Sequence, residues 1–338
     1  MVLVSSPRRS VASNTEIGRP APVAPSRSHH ARRRDQPMSS FHETTITGDC
    51  PISVRDYGGA GAPMLLLHGA LRNLEDWSPY PDLLGKGSRL VAMDFRNHGR
   101  SGEGPWTWDA VLDDVGRVID IMGLDAPVLV GHSLGGMVAA LYAVRRGGVS
   151  GVINMDGYGS GRPEQYVGIA PDVASEYLRT SLDAAISSWP DGSLEPETIT
   201  AIVTAQATQA AAYGLPVSRE VTALARSLRS DDHGRPTLSM SRDRLSEMMQ
   251  VLTSLDWMDI FARVDVPFLL HRCEDTAGIE GETLEMMTAY NQGLRRDLND
   301  LNRVSDTVTV RFLAENHGYN LIDPEARATE IREFLSLD

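Results

Sequence analysis

Short apolar segments alternate along most of the chain with longer stretches in which apolar residues recur at helical spacing. Short apolar segments bounded by Gly, Pro and Asp are typical of strands covered on both faces. The predicted strands lie at 64–67, 90–93, 128–130, 152–155, 268–271 and 308–312, after an antiparallel pair at 43–48 and 52–57. The predicted helices lie at 108–122, 134–146, 284–301 and 325–337. This alternation predicts a mostly parallel, eight-stranded α/β sheet with helices on both faces.

One region departs from this alternation. Residues 157–257 have helical periodicity and almost no strand signal. A helical insertion of this length between two strands of a sheet predicts a cap, or lid, subdomain. We therefore predict a core formed by residues 41–156 and 258–338, with a helical cap at 157–257 inserted between its two parts.

Composition restricts the partners and the location. The chain has 338 residues with 32 basic and 45 acidic side chains, a net charge of −13. Phosphate binding needs a concentrated basic surface, so we expect no nucleic-acid partner. No apolar run reaches the roughly 18 residues that span a bilayer, so we expect no membrane span. The two cysteines, Cys50 and Cys273, cannot form a disulfide framework. We therefore expect a cytoplasmic protein.

The first residues differ in composition from the rest. Residues 1–37 contain seven arginines and only two acidic residues, together with many Ser and Pro. Such a segment buries too little apolar surface to offset the entropy of ordering, so we expect a disordered leader over residues 1–40. No apolar stretch follows the arginines, which argues against a secretory signal. An electrostatic tether through Arg32–Arg34 and a native start at Met38 are two further hypotheses for this segment.

The strongest chemical signal is the segment Gly131–His132–Ser133–Leu134–Gly135, which lies between a predicted buried strand and an alanine-rich helix. A serine on a sharp turn from strand to helix has its hydroxyl raised above the edge of the sheet. Glycines at both ends of the motif permit so tight a turn. We therefore predict Ser133 to be a catalytic nucleophile.

A serine nucleophile needs a base and a carboxylate that orients it. Among nine histidines, His317 follows the last predicted strand and therefore lies at the same edge of the sheet as Ser133. The carboxylate is predicted to be Asp275, which follows the strand at 268–271. Glu274 and Asp156 are the alternatives, since each also lies at the end of a strand.

An oxyanion hole would complete this set. Gly69 allows a turn after the strand at 64–67, and the backbone N–H of Ala70 can then face that of Leu134 across the reacting atom. The adjacent His68 is expected to hold this loop by hydrogen bonding, which is a structural role.

The chain resembles the α/β-hydrolase superfamily over nearly all of residues 43–337. The motifs that carry the resemblance are His68–Gly69, Asp94–Ser101, Gly131–Gly136, Glu274–Asp275 and His317–Gly318. The resemblance implies the α/β-hydrolase fold, a nucleophile–acid–base order along the chain, and a cap that covers the pocket. Two departures are present. The proline often found shortly after the acid is missing near Asp275, and Ser133 replaces the aspartate of the haloalkane dehalogenase and epoxide hydrolase branches.

These observations predict a serine hydrolase that cleaves a carboxylic ester, a lactone or a thioester through an acyl-enzyme. One alternative is an acyltransferase that uses the same triad. Another is a binding protein of the same fold that does not turn over its ligand. Perhydrolysis and carbon–carbon cleavage also stay open, since the fold and the triad do not determine the reaction.

The predicted substrate is a small molecule with an apolar acyl group. Large apolar side chains of the cap, Trp189, Met248 and Trp257, are the candidates for binding it, because aromatic rings and Met adapt to irregular volumes. The predicted chemistry uses no cofactor and no metal. Nothing in the sequence predicts an oligomeric state.

Overall fold

The computed structural model of the chain describes residues 41–336 except residues 86, 160 and 213. The leader predicted over residues 1–40, with its proposed tether and start site, lies outside this range. Within the described part of the chain, no helix is both long enough and apolar enough to cross a membrane.

Eight strands form one mixed sheet, and a separate hairpin contributes two more. The strands are β1 (His42–Ile46), β2 (Ile52–Gly58), β3 (Ala62–Leu67), β4 (Ser88–Met93), β5 (Val128–His132), β6 (Gly151–Met155), β7 (Leu228–Ser230), β8 (Pro236–Leu238), β9 (Phe268–Cys273) and β10 (Val308–Leu313). The order in the large sheet is β1-β2-β4-β3-β5-β6-β9-β10. Strand β2 pairs antiparallel with both β1 and β4, and all other pairs are parallel. The predicted eight-stranded, mostly parallel sheet is therefore confirmed.

The helices connect these strands and cover both faces of the sheet. They are α1 (Tyr80–Leu84), α2 (Trp108–Ile121), α3 (Leu134–Arg145), α4 (Pro171–Ser188), α5 (Pro196–Ala212), α6 (Val217–Ser227), α7 (Arg242–Leu252), α8 (Trp257–Ala262), α9 (Gly281–Val304), α10 (Tyr319–Ile322) and α11 (Pro324–Phe334).

The central strands are buried on both faces of the sheet. Since successive side chains of a strand point to opposite faces, each central strand contributes to two cores. On β3, Leu65 and Leu67 belong to the larger core, which α2, α3, α8 and α9 cover. Met64 and Leu66 belong to the smaller core on the other face, which α1, α10 and α11 cover. This two-sided burial explains why the central strands are uninterrupted apolar runs in the sequence.

The segment between β6 and β9 contains α4, α5, α6 and α7, as its periodicity predicts. It also contains the β7–β8 hairpin, which was not predicted. Each of these strands has only three residues, too few for an alternating pattern to be visible in the sequence. The side chain of Arg229 on β7 donates a hydrogen bond to the carbonyl of Ser101 in the core, so a tertiary contact helps to hold the hairpin.

Helix α6 is attached to the core by buried charges. Arg226 donates from Nε to Asp94 Oδ2 at 2.9 Å, from Nη1 to both carboxylate oxygens of Glu43 at 3.0 Å, and from Nη2 to Ser53 Oγ at 2.9 Å. Asp94 also accepts the backbone N–H of Leu74 at 2.8 Å. Each charge of this buried network therefore has a partner of opposite sign, and the loss of Arg226 would leave Asp94 buried without compensation.

Replacement of this arginine is predicted to weaken the whole fold. Arg226→Met should lower the free energy of unfolding by about 3–5 kcal/mol, because the carboxylate of Asp94 stays buried without its cation. Urea denaturation of the full chain measures the effect. Arg179→Met is the matched control, since Arg179 is exposed on α4 and pairs with Glu176 and Asp183 of the same helix, and its midpoint should match that of the wild type. Equal midpoints for both variants would contradict an anchoring role for Arg226.

Candidate active site

Ser133 lies at the junction of β5 and α3, in the turn that the motif predicts. Its backbone has φ 52° and ψ −116°, a conformation that residues other than glycine rarely adopt. Its N–H donates to Met155 O at 2.8 Å, which continues the pairing of β5 with β6 by one residue. The serine is therefore held in a strained backbone conformation by hydrogen bonds on the sheet side.

The glycines of the motif are required by close backbone packing. A Cβ added at Gly131 would overlap the backbone of Gly135 in the first turn of α3. A Cβ added at Gly135 would overlap the carbonyl of Leu67 at the end of β3. The turn is therefore too tight for any side chain at either position, as the sequence predicts.

His317 lies beside this turn, in the loop between β10 and α10. Its backbone carbonyl accepts a hydrogen bond from Nε2 of His132, the residue before Ser133, at 2.8 Å. The two imidazole rings lie 4.8 Å apart. Burial lowers the pKa of His132 to about 3, so its ring is neutral. Since a carbonyl only accepts hydrogen bonds, the proton of the His132 ring resides on Nε2.

The ring of His317 is oriented by Asp156. The distance between His317 Nδ1 and Asp156 Oδ2 is 2.6 Å. A carboxylate only accepts hydrogen bonds, so Nδ1 donates to Asp156, and in the neutral ring Nε2 then keeps its lone pair. This arrangement gives a half-buried imidazole, on a loop bonded to the residue before Ser133, that is able to accept a proton at Nε2.

Asp156 follows directly after β6 and is almost fully buried, with φ 61°. Its Oδ1 accepts the backbone N–H of Cys273 at 2.8 Å and lies 3.4 Å from Arg272 Nη1. Burial acts to raise the pKa of Asp156. The hydrogen bond from His317, its charge, the charge of Arg272 and the Cys273 N–H outweigh burial and lower this pKa to about 2. Asp156 is therefore ionised at neutral pH, as the orienting carboxylate must be.

The structure does not place the predicted acid, Asp275, at the imidazole. Asp275 is exposed, and its side chain accepts the N–H of Ala277 at 2.8 Å. Glu274, one alternative, pairs instead with Arg295. The carboxylate bonded to the imidazole is that of Asp156, the other alternative. The physical reason is local: the carboxylate of Asp275 turns back onto the N–H of Ala277 in its own loop, whereas that of Asp156 points at His317.

The chain around Asp156 is held from both sides. The side chain of Asn154 brackets Gly157, accepting its N–H at 2.8 Å and donating to its carbonyl at 2.7 Å. Arg272 donates to Tyr158 Oη and to Asn291 Oδ1. Sequence reasoning did not single out Arg272. The available signal was an arginine within an otherwise apolar strand, which indicates a buried charge with a partner.

The loop after β3 lies against the turn formed by His132 and Ser133. A Cβ added at Gly69 would lie 3.4 Å from Ser133 Cβ, so this backbone packs directly on the serine. His68 holds the loop: its Nε2 accepts the N–H of Phe95 at 3.0 Å, and its Nδ1 lies 2.7 Å from Gly69 O. Next along the loop, Leu71 has φ 61° and donates its N–H to His98 Nε2 at 3.1 Å. The roles of the Ala70 and Leu134 N–H groups stay predictions.

A cavity of about 150 Å³ lies between this loop and the insertion. Of the three predicted binding residues, Trp189 lines it, and Met240 lies beside Trp189 on the same wall. Met248 and Trp257 instead belong to the larger hydrophobic core. Trp257 packs edge-on against Trp108, with ring centroids 5.4 Å apart. The structure therefore places only Trp189 of the three in the cavity.

The fold and these motifs agree with comparisons to known proteins. A model of the alpha/beta hydrolase family matches residues 64–329, well over half of the chain. The chain belongs to this family, and the predicted resemblance is confirmed.

Among the residues that the structure describes, no group of three or more His, Cys, Asp or Glu side chains is arranged to hold a metal ion.

Individual relatives match shorter stretches. A bifunctional esterase/perhydrolase of Acinetobacter calcoaceticus is 37% identical over 101 residues, which is 28% of this chain and 36% of that protein. Epoxide hydrolase 4 of Mus musculus is 28% identical over 135 residues, which is 36% of this chain and 38% of that protein. The chain thus spans little more than a third of the length of these curated relatives.

Solved structures match over more of the chain. E-2-(acetamidomethylene)succinate hydrolase has a TM-score of 0.65 at 20% identity, covering 88% of this chain and 100% of its own. The thioesterase domain from the curacin biosynthetic pathway has a TM-score of 0.62 at 20% identity, covering 87% and 99%. At these identities the likeness establishes the fold alone.

Replacement of each candidate acid by its amide is predicted to change the reactivity of Ser133 to different extents. Asp156→Asn should slow covalent labelling of the serine by a fluorophosphonate about 10³-fold or more, because an amide cannot stabilise the imidazolium. Asp275→Asn, the matched control, should label within about twofold of the wild-type rate. Gel fluorescence or intact-mass spectrometry measures the labelling rate of each variant. A slow Asp275→Asn variant beside a fast Asp156→Asn variant would restore the original assignment.

Proposed function

We propose that this protein is a serine hydrolase that cleaves carboxylic esters, or close relatives such as lactones and thioesters, through an acyl-enzyme on Ser133. His317 is the general base, and Asp156 orients it. The observation that carries the proposal is the 2.6 Å hydrogen bond between His317 Nδ1 and Asp156 Oδ2, on a loop bonded to the residue before Ser133. An imidazole fixed in this tautomer near a strained serine favours a catalytic role over a merely structural one.

The reaction follows from these groups. His317 Nε2 takes the proton of Ser133 Oγ as this oxygen attacks the substrate carbonyl. The imidazolium then protonates the leaving alcohol, and the bond from the carbonyl carbon to that alcohol breaks. Water enters, gives a proton to the same nitrogen and attacks the acyl carbon. The bond from this carbon to Ser133 Oγ then breaks, Oγ takes the proton back from the imidazolium, and the acid is released.

The negative charge on the carbonyl oxygen needs backbone donors. We assign them to the N–H groups of Leu134 and Ala70. Leu134 is the first residue of the twelve-residue helix α3, where the N–H groups have no partner within the helix and the dipole favours negative charge. The packing of Gly69 on Ser133 supports Ala70 as the opposing donor.

The insertion at 157–257 is proposed to act as the cap that selects the substrate. Its support is the cavity between the insertion and the loop that carries Ala70, with Trp189 in its wall. We also propose a cytoplasmic location, since Cys50 and Cys273 are both buried and free.

Two other outcomes of the same acyl-enzyme are measurable. A relative is named as an esterase/perhydrolase, and another, from Rhodococcus erythropolis, as a non-heme haloperoxidase. These names favour hydrogen peroxide as a second acceptor besides water. Product analysis with peroxide or an alcohol present separates hydrolysis, perhydrolysis and acyl transfer by the compound that carries the acyl group.

Loss of the nucleophile is predicted to abolish turnover. A panel of p-nitrophenyl esters, lactones, thioesters and amides should show ester hydrolysis by the wild type and a decrease in kcat of about 10⁴-fold or more in Ser133→Ala. Ser175→Ala, which changes an exposed serine on α4, is the matched control and should keep full activity. Turnover that survives in Ser133→Ala would refute the mechanism, and a wild type that reacts with fluorophosphonate but cleaves no member of the panel would refute the substrate class.

A further inference from the structure

The cavity below the insertion begins where the proposed oxyanion loop ends. Its core-side wall is formed by Leu71, Arg72 and Asn73, which directly follow Ala70. Since Gly69 packs on Ser133, the chain leads in a few residues from the nucleophile to the cavity. The inference below rests on the proposed function, with one of the two substituents of a substrate at Ser133 occupying this cavity.

The walls of the cavity are mostly apolar. Trp189, Ile202, Leu224, Leu238 and Met240 from the insertion face Leu71 from the core. The volume of about 150 Å³ is that of a cavity that binds a single aromatic ring. The fitting group is therefore compact and largely apolar.

The polar groups of the core-side wall are already bonded within the protein. Asn73 Nδ2 donates to Ala223 O at 2.7 Å and to Ser227 Oγ at 2.9 Å, and its Oδ1 accepts the N–H of Glu75 at 3.1 Å. His98 accepts the N–H of Leu71. Arg72 pairs with Asp76 and Glu220. These groups have little remaining capacity for a ligand.

Gln206 on α5 differs from them. It lines the cavity, and its Oε1 is buried without a hydrogen-bond partner. Among the described residues that line this cavity, it alone has such an atom. An unpaired buried acceptor costs free energy that a donor on a bound molecule would recover.

We propose that Gln206 is a specificity-determining residue whose Oε1 accepts a hydrogen bond from a hydroxyl or N–H group of the substrate. The substrate class is thereby an ester whose acyl or alcohol substituent is a compact apolar group, about the size of one aromatic ring, with a hydrogen-bond donor. A purely hydrocarbon substituent of the same size fills the cavity but leaves Oε1 unpaired.

Calorimetric titration with phenol and toluene tests the binding without any turnover. The two molecules are similar in size and differ in the hydroxyl group. Gln206→Leu should lower the ratio of phenol to toluene affinity roughly tenfold, because one hydrogen bond is lost for phenol alone. Gln209→Leu is the matched control, since Gln209 is exposed on the same helix, and it should leave the ratio unchanged. The free energy of unfolding should not fall in Gln206→Leu, because the substitution removes an unpaired acceptor.

Kinetics assign the substituent. One pair of esters carries a 4-hydroxyphenyl or a 4-methylphenyl group in the acyl part, and a second pair carries it in the alcohol part. For each pair, the ratio of kcat/KM for the hydroxyl compound to kcat/KM for the methyl compound is measured. In one of the two pairs, this ratio should be higher in the wild type than in Gln206→Leu, by the same factor as the affinity ratio. Absence of hydrolysis in all four esters counts against the proposed function and leaves the calorimetric result standing.

The specificity proposal has its own negative outcomes. It is overturned if neither phenol nor toluene binds, or if the affinity ratio is the same in wild type and Gln206→Leu. It is equally overturned if Gln209→Leu changes the ratio as much as Gln206→Leu does. Ester hydrolysis that is lost in Ser133→Ala and unaffected by Gln206→Leu in both pairs would keep the hydrolase and refute the role of Gln206.

Discussion

The pairing of β5 with β6 is the interaction on which the site depends. His132 lies opposite Met155 in this parallel pair, and the N–H of Ser133 extends the pairing to Met155 O. The next residue after Met155 is Asp156, so Ser133 and Asp156 leave the sheet side by side. The loop of His317 contacts both strand ends, through the His317 carbonyl to His132 and through Nδ1 to Asp156. A shift in this register would separate all three groups at once.

The insertion combines a firmly attached part with a part that contacts the cavity. Helix α6 is held by Arg226 in the buried charge network and by Glu220, which pairs with Arg72 at 2.8 Å. Helix α5 packs on α6 and supplies Gln206 to the cavity. The charges thus keep the walls of the cavity in place.

Much of the fold follows from the sequence, because two-sided burial produces apolar runs and a tight turn demands glycines at 131 and 135. The position of His317 is predictable for the same reason, since strand ends meet at one edge of a parallel sheet. The carboxylate bonded to His317 is not predictable in this way, because Asp156 and Asp275 both follow buried strands and only the side-chain geometry shows which one meets the imidazole. The β7–β8 hairpin and the unpaired Gln206 Oε1 depend on tertiary contacts, which leave no periodic signal.

The last residue before the insertion is also the one that orients the imidazole. Asp156 is bonded to β9 through Cys273 and Arg272, and Gly157 is bracketed by the side chain of Asn154. These bonds clamp the point where the chain leaves the sheet. The position of Asp156 is therefore set by its bonds to β9 and to His317. An insertion of different length or sequence beyond Tyr158 is compatible with the same His317–Asp156 geometry as long as these bonds persist.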